Sequence, residues 1–134
     1  MQITQGTDYA VRIVEVLAQS QQRMDAASVS EKAQVPSRFC LKILRSLVHS
    51  GIVTSYKGAK GGYTLARPAG EITLLEVIEA VEGPYRISRC QDSDYQCCHT
   101  SCRFHKIYAE ITDLVREKLA AHTFSQEGYS EQEE

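Results

Sequence analysis

A mainly α-helical fold is predicted for this 134-residue chain, with one two-stranded hairpin and a long helix near the C-terminus. Three observations predict it. Apolar residues recur at helical spacing through several separate stretches. One pair of short β-prone runs flanks a glycine-rich tip, and an apolar stripe runs through residues 104–119.

Each element can be justified in turn. Thr7 is positioned to cap a first helix, in which Ala10, Ile13, Val14 and Leu17 follow the spacing of one buried face. The polar stretch 19–23 ends it. A short helix over 27–33 is stopped by Gln34, Val35 and Pro36. Pro36 opens a longer helix reaching Ser50, with Gly51 as its stop, because proline suits a helix start and glycine the residue past its end. Two helices joined by a tight turn, the second longer, form the helix-turn-helix pattern. Strand-like runs over 52–56 and 63–66 bracket Lys57, Lys60 and three glycines that permit positive φ at a sharp tip. A hairpin directly after the second helix is a wing, so the fold class is a winged helix-turn-helix. Thr73 caps a further helix over 74–81, closed by Gly83 and Pro84.

The stretch 85–101 lacks periodicity and reads as a loop. A last helix runs from Cys102 to about Thr123, with Phe104, Ile107, Tyr108, Ile111, Leu114, Val115 and Leu119 as its stripe. So wide an apolar band with little chain left to cover it predicts a dimerisation helix. The organisation is therefore a winged domain over 1–84, a cysteine-rich loop over 85–101, a dimerisation helix over 102–124 and a disordered acidic tail over 125–134.

Composition is that of an ordinary soluble domain, at 43% hydrophobic and 24% charged. No apolar run approaches the roughly 20 residues of a membrane span, and the N-terminus lacks the basic and apolar regions of a secretory leader. A cytoplasmic protein without a membrane partner is expected. The net charge of −2 argues by itself against a polyanionic partner, but its distribution does not. Residues 1–67 hold nine Lys/Arg against four Asp/Glu, and residues 68–134 hold six against thirteen. One half is suited to a polyanion and the other is not.

The basic residues have an arrangement as well as a number. Cys40, Ile43, Leu44 and Leu47 face inward on the second helix of the pair, while Arg38, Lys42, Arg45 and His49 line the opposite side. Donors on such a face can reach phosphates and guanine edges in the major groove. Ser37 adds a hydroxyl at the helix start, and the wing adds Lys57 and Lys60. Any one of these is ordinarily a solvated charge; together they predict a double-stranded DNA partner.

Of five cysteines, four crowd between 90 and 102, which points to metal or redox chemistry. Cys90, Cys97, Cys98 and Cys102 are soft ligands that suit an iron–sulfur cluster or zinc. Cys102, at a helix start, is favoured as a thiolate by the helix dipole. Two other uses compete: a closed zinc site of Cys90, Cys98, Cys102 and His105, or a thiol switch between Cys97 and Cys98. Cys40 reads as core, and His99 and His122 as surface. An enzyme is not expected. A redox module that does not bind DNA would lack a Cys-x-x-Cys motif here and would leave the basic helix and wing unexplained.

Three separated motifs resemble those of the Rrf2 family of transcription regulators. They are Thr7-Asp8-Tyr9-Ala10, the wing sequence from Gly58 through Tyr63 to Ala66, and the stretch from Ile72 through Leu74 and Glu76 to Gly83. The resemblance covers residues 1 to about 120. It implies a homodimeric winged-helix repressor or activator of palindromic operators, with the long C-terminal helices crossing at the dimer interface. Branches that carry a cluster use three cysteines, the outer two twelve residues apart, as Cys90 and Cys102 are. Gln96 stands where the middle cysteine usually lies, so Cys97 and Cys98 both remain candidates. His105 matches the histidine of IscR-like members, which hold a two-iron cluster. Asp8 matches the aspartate with which NsrR-like members complete a four-iron cluster from the partner subunit, and the motif around it inclines the reading toward Asp8. Arg12 stands where a ligand histidine would otherwise be considered. CymR-like members, which lack clusters and sense through a protein partner, are a further alternative.

Overall fold

The computed structural model describes residues 3–20, 22–92, 94–95 and 102–125. Three helices come first: α1 (Gln5–Gln19), α2 (Ala26–Ala33) and α3 (Ser37–His49). The wing follows as β1 (Val53–Tyr56) and β2 (Gly62–Leu65), then α4 (Leu74–Glu82) and α5 (Arg103–Ala120).

The cap of α1 is Thr4, not Thr7. Thr4 Oγ1 accepts the Thr7 N–H at 3.1 Å. Thr7 is buried one turn inside, where its hydroxyl donates to Glu82 at 3.1 Å and ties the start of α1 to the end of α4. Asp25 caps α2, its carboxylate accepting the Ser28 N–H at 2.8 Å; hydrogen bonds from Ser28 hold its pKa below the ordinary carboxylate value. Gln34 ends α2 in the left-handed region (φ 56°), and the Ser30 hydroxyl donates to the Val35 carbonyl across the turn. These bonds satisfy a tight corner that would otherwise leave buried polar groups unpaired. Thr73 caps α4 as expected, with Glu76 returning the bond to the Thr73 N–H.

Ile13, Val14, Leu44, Leu47, Ile52, Ile72 and Val77 are fully buried and draw α1, α3, α4 and the base of the wing into one core. The wing is antiparallel, pairing Val53 with Leu65 and Tyr56 with Gly62. It is also pinned from the side, because Met24 and Tyr63 form a bridge just before α2. A Cβ on Gly62 would lie 2.7 Å from the Met24 carbonyl, and one on Gly61 would lie 2.6 Å from that of Tyr56. Both glycines are thus required by close backbone approach, and Gly62 by its positive φ of 144° as well.

The C-terminal part departs most from expectation. Helix α5 ends at Ala120, and the next residues fold back onto the winged domain. Thr123 bridges Thr73, the Leu74 N–H donates to the His122 carbonyl at 2.9 Å, and Phe124 is buried in the core. The apolar band on α5 is correspondingly two bands. Tyr108, Ile111, Val115 and Leu119 are half-buried along the side that carries the buried Thr112, whereas Phe104, Ile107 and Leu114 are 49%, 45% and 66% exposed. The loop before α5 contains a 3-10 turn, Arg89–Gln91, packed against α5. Of the tail read above as 125–134, all but Ser125 lies outside the described residues, as do Cys97 and Cys98.

Candidate nucleic-acid interface and metal centre

The core fixes the orientation of α3. Cys40, Ile43, Leu44 and Leu47 are buried, which turns Ser37, Arg38, Leu41, Lys42, Arg45 and His49 outward. Tyr9 on α1 meets Phe39 with ring centroids 5.9 Å apart, bracing the first turn of α3 from the side. Burial pushes the Cys40 thiol pKa up, so this cysteine stays a neutral packing group. Lys57 and Lys60 are exposed on the wing.

Charge pairing distinguishes some cations from others. Arg12, Arg67, Arg86 and Arg116 form ion pairs with Asp8, Glu76, Asp92 and Glu79. Among the described residues, no carboxylate lies within ion-pair distance of Arg38, Lys42, Arg45, Lys57 or Lys60. The cations of α3 and the wing are therefore left for an anion from outside.

Arg23, which the sequence reading did not single out, supports the wing. Its guanidinium stacks 3.6 Å from the Tyr56 ring centroid and donates to the Lys60 carbonyl at 3.3 Å. Only the fold brings residue 23 to the hairpin, so no local pattern marked it.

At the other end, Cys90 lies in the 3-10 turn and Cys102 immediately precedes α5, without a side-chain capping bond; both are half-buried free thiols. His105, one turn into α5, places Nδ1 3.4 Å from Cys90 Sγ. Gln91 holds this turn in place. Its Oε1 accepts from the Ile87 and Ser88 N–H groups, each at 3.2 Å, and from the Thr112 hydroxyl at 2.9 Å. Ser88 followed three residues later by Gln91 is a capping-box pattern that the sequence reading did not use, whereas Thr112 carries no such signal. Asp8, the other suggested fourth ligand, pairs with Arg12 at 3.1 Å on its own helix. No group of three or more metal-ligating side chains is assembled among the described residues.

The family model described as "Rrf2: Iron-dependent Transcriptional regulator" matches residues 3–126. The chain is 30% identical to YwgB of Bacillus subtilis, over 96% of its own length and 87% of the relative's. Its fold is similar to that of IscR from T. potens, with TM-score 0.74 and 21% identity over 92% of this chain and 83% of that one. It is equally similar to CymR, the global cysteine regulator of B. subtilis, with TM-score 0.73 and 23% identity over 92% and 93% of the two chains. A match along almost the whole chain, on a winged helix-turn-helix whose outward cations have no carboxylate partner among the described residues, fixes its class: the chain belongs to the Rrf2 family of DNA-binding transcriptional regulators, and is not an enzyme.

Proposed function

We propose that this regulator is a homodimer whose hold on a palindromic operator is set by an iron–sulfur cluster bound at Cys90, Cys102 and His105, with Cys97 or Cys98 as the remaining ligand. The observation that carries the reading is the 3.4 Å approach of His105 Nδ1 to Cys90 Sγ. Donors at adjacent corners of a tetrahedral metal site, with bonds of about 2.3 Å to sulfur and 2.0–2.1 Å to nitrogen, lie about 3.5 Å apart. The pair thus fits one metal ion, and Cys102 stands at the start of the same helix. This spacing favours the histidine-ligated two-iron arrangement over one completed by Asp8, which Arg12 already neutralises. The family's iron-dependent description supports an iron centre of either kind.

When bound, the cluster would supply an element sensitive to oxidation, nitric oxide or iron supply. The chain's own residues connect that element to the DNA-binding face. Gln91 and Thr112 join the cysteine turn to α5, Arg116 pairs with Glu79 to join α5 to α4, and Glu82 joins α4 to α1 through Thr7. Ser37, Arg38, Lys42 and Arg45 on α3, with Lys57 and Lys60 on the wing, make the duplex contacts. A second copy of the chain covers Phe104, Ile107 and Leu114, which sets the two α3 helices about 34 Å apart for successive half-sites.

The test is anaerobic purification followed by absorption spectroscopy and iron and sulfide analysis. Matched iron and sulfide with visible charge-transfer absorption is expected. Removing Cys90 or Cys102 should abolish both and change operator affinity. A colourless protein holding zinc would overturn the cluster, and unchanged affinity in both variants would overturn its control of binding.

A further inference from the structure

Among the described residues from Thr4 to Gly83, Leu41 is the one large hydrophobic side chain left exposed, at 41%. A lone exposed leucine is ordinary on a protein surface. What distinguishes this one is its surroundings. On α3 it sits three residues after Arg38 and four before Arg45, spacings that place side chains next to one another on a helix surface. The neighbouring Cys40 and Leu44 already fill the core side, so Leu41 has no packing role inward.

A leucine in the middle of a cationic face adds nothing to phosphate attraction, and it can neither donate to nor accept from a base edge. It does offer apolar surface at the depth where Arg38 and Arg45 reach. In the major groove one base presents an apolar group, thymine with its 5-methyl. We infer that Leu41 is a specificity-determining residue that packs on the methyl group of a thymine in each operator half-site. The arginines on either side place that thymine next to a guanine, whose acceptor edge suits a guanidinium. This inference rests on the duplex-binding face and is independent of the metal centre.

The operator is first obtained by selecting random duplexes with the full-length protein. Each thymine is then replaced singly by deoxyuridine, which removes the methyl and leaves every hydrogen-bonding group in place. One position per half-site should weaken wild-type binding by about fourfold, the value of one buried methyl-sized group. Leu41→Ala, with an unchanged melting temperature because the residue is exposed, should bind the thymine and deoxyuridine duplexes equally well. Deoxyuridine that is neutral everywhere for the wild type overturns the inference, as does an equal penalty in Leu41→Ala, or a selected half-site without an invariant thymine. A wild-type protein that selects no duplex overturns the DNA-binding reading itself, an outcome distinct from the other three.

Discussion

Glu76 shows how one carboxylate can serve two structures at once. It closes the capping box with Thr73 and also receives Arg67 at 2.9 Å. Partial burial pushes its pKa up, but the Thr73 N–H and the Arg67 guanidinium together outweigh burial and hold it below the ordinary glutamate value. A carboxyl with a lowered folded pKa contributes stability that is present above the unfolded value of about 4.3 and is lost as pH falls through the folded one. Melting temperature should therefore decline on acidification below about pH 5 more steeply in the wild type than in Glu76→Gln, and parallel curves would disprove the assignment. The capping half of this arrangement was legible, since threonine followed three residues later by glutamate marks a helix start. The Arg67 half was not. Thr7 makes the same point more sharply, because it carries the local marks of a cap. Its hydroxyl is instead taken by Glu82, 75 residues away, and Thr4 does the capping.

Elements were legible where period and punctuation agree. The turn between α2 and α3, the inward face of α3 and the glycine tip of the wing all lie where spacing put them. What spacing cannot give is which elements meet across the chain. The unpatterned stretch before α5 is ordered by Gln91, whose single oxygen gathers two backbone donors and the Thr112 hydroxyl. Thr112→Val keeps the shape and removes the hydroxyl, so it should cost about 1–3 kcal/mol and speed amide exchange at Ile87 and Ser88. Thr112→Ser should restore both. Full protection at these amides in the valine variant would show that Gln91 holds the turn unaided.

At the scale of the whole molecule, charge and apolar surface divide the labour. Arg38, Lys42, Arg45, Lys57 and Lys60, which have no carboxylate partner among the described residues, lie on α3 and the wing, while the exposed apolar residues Phe104, Ile107 and Leu114 lie on α5. The sequence marked both regions. It merged the two bands of α5 into one, because a stripe read on a single helix does not reveal which part its own domain covers. Leu114→Glu should therefore convert a dimer to a monomer in sedimentation equilibrium while preserving the far-ultraviolet spectrum, and an unchanged mass would place the interface elsewhere. The monomer should also lose most of its affinity for a two-half-site duplex, since each half-site then binds alone.

The return of residues 122–124 onto the winged domain has a mechanical consequence. With Phe124 sunk in the core and Arg116 paired with Glu79 on α4, α5 is fastened to the winged domain within its second half and just beyond its end. A rod fastened at two points cannot swing as a hinge; it can roll about its long axis or carry its anchors with it. In the proposed dimer, a change at the thiols would then reach the duplex as a change in twist between the two reading heads, not as a change in how widely they are splayed.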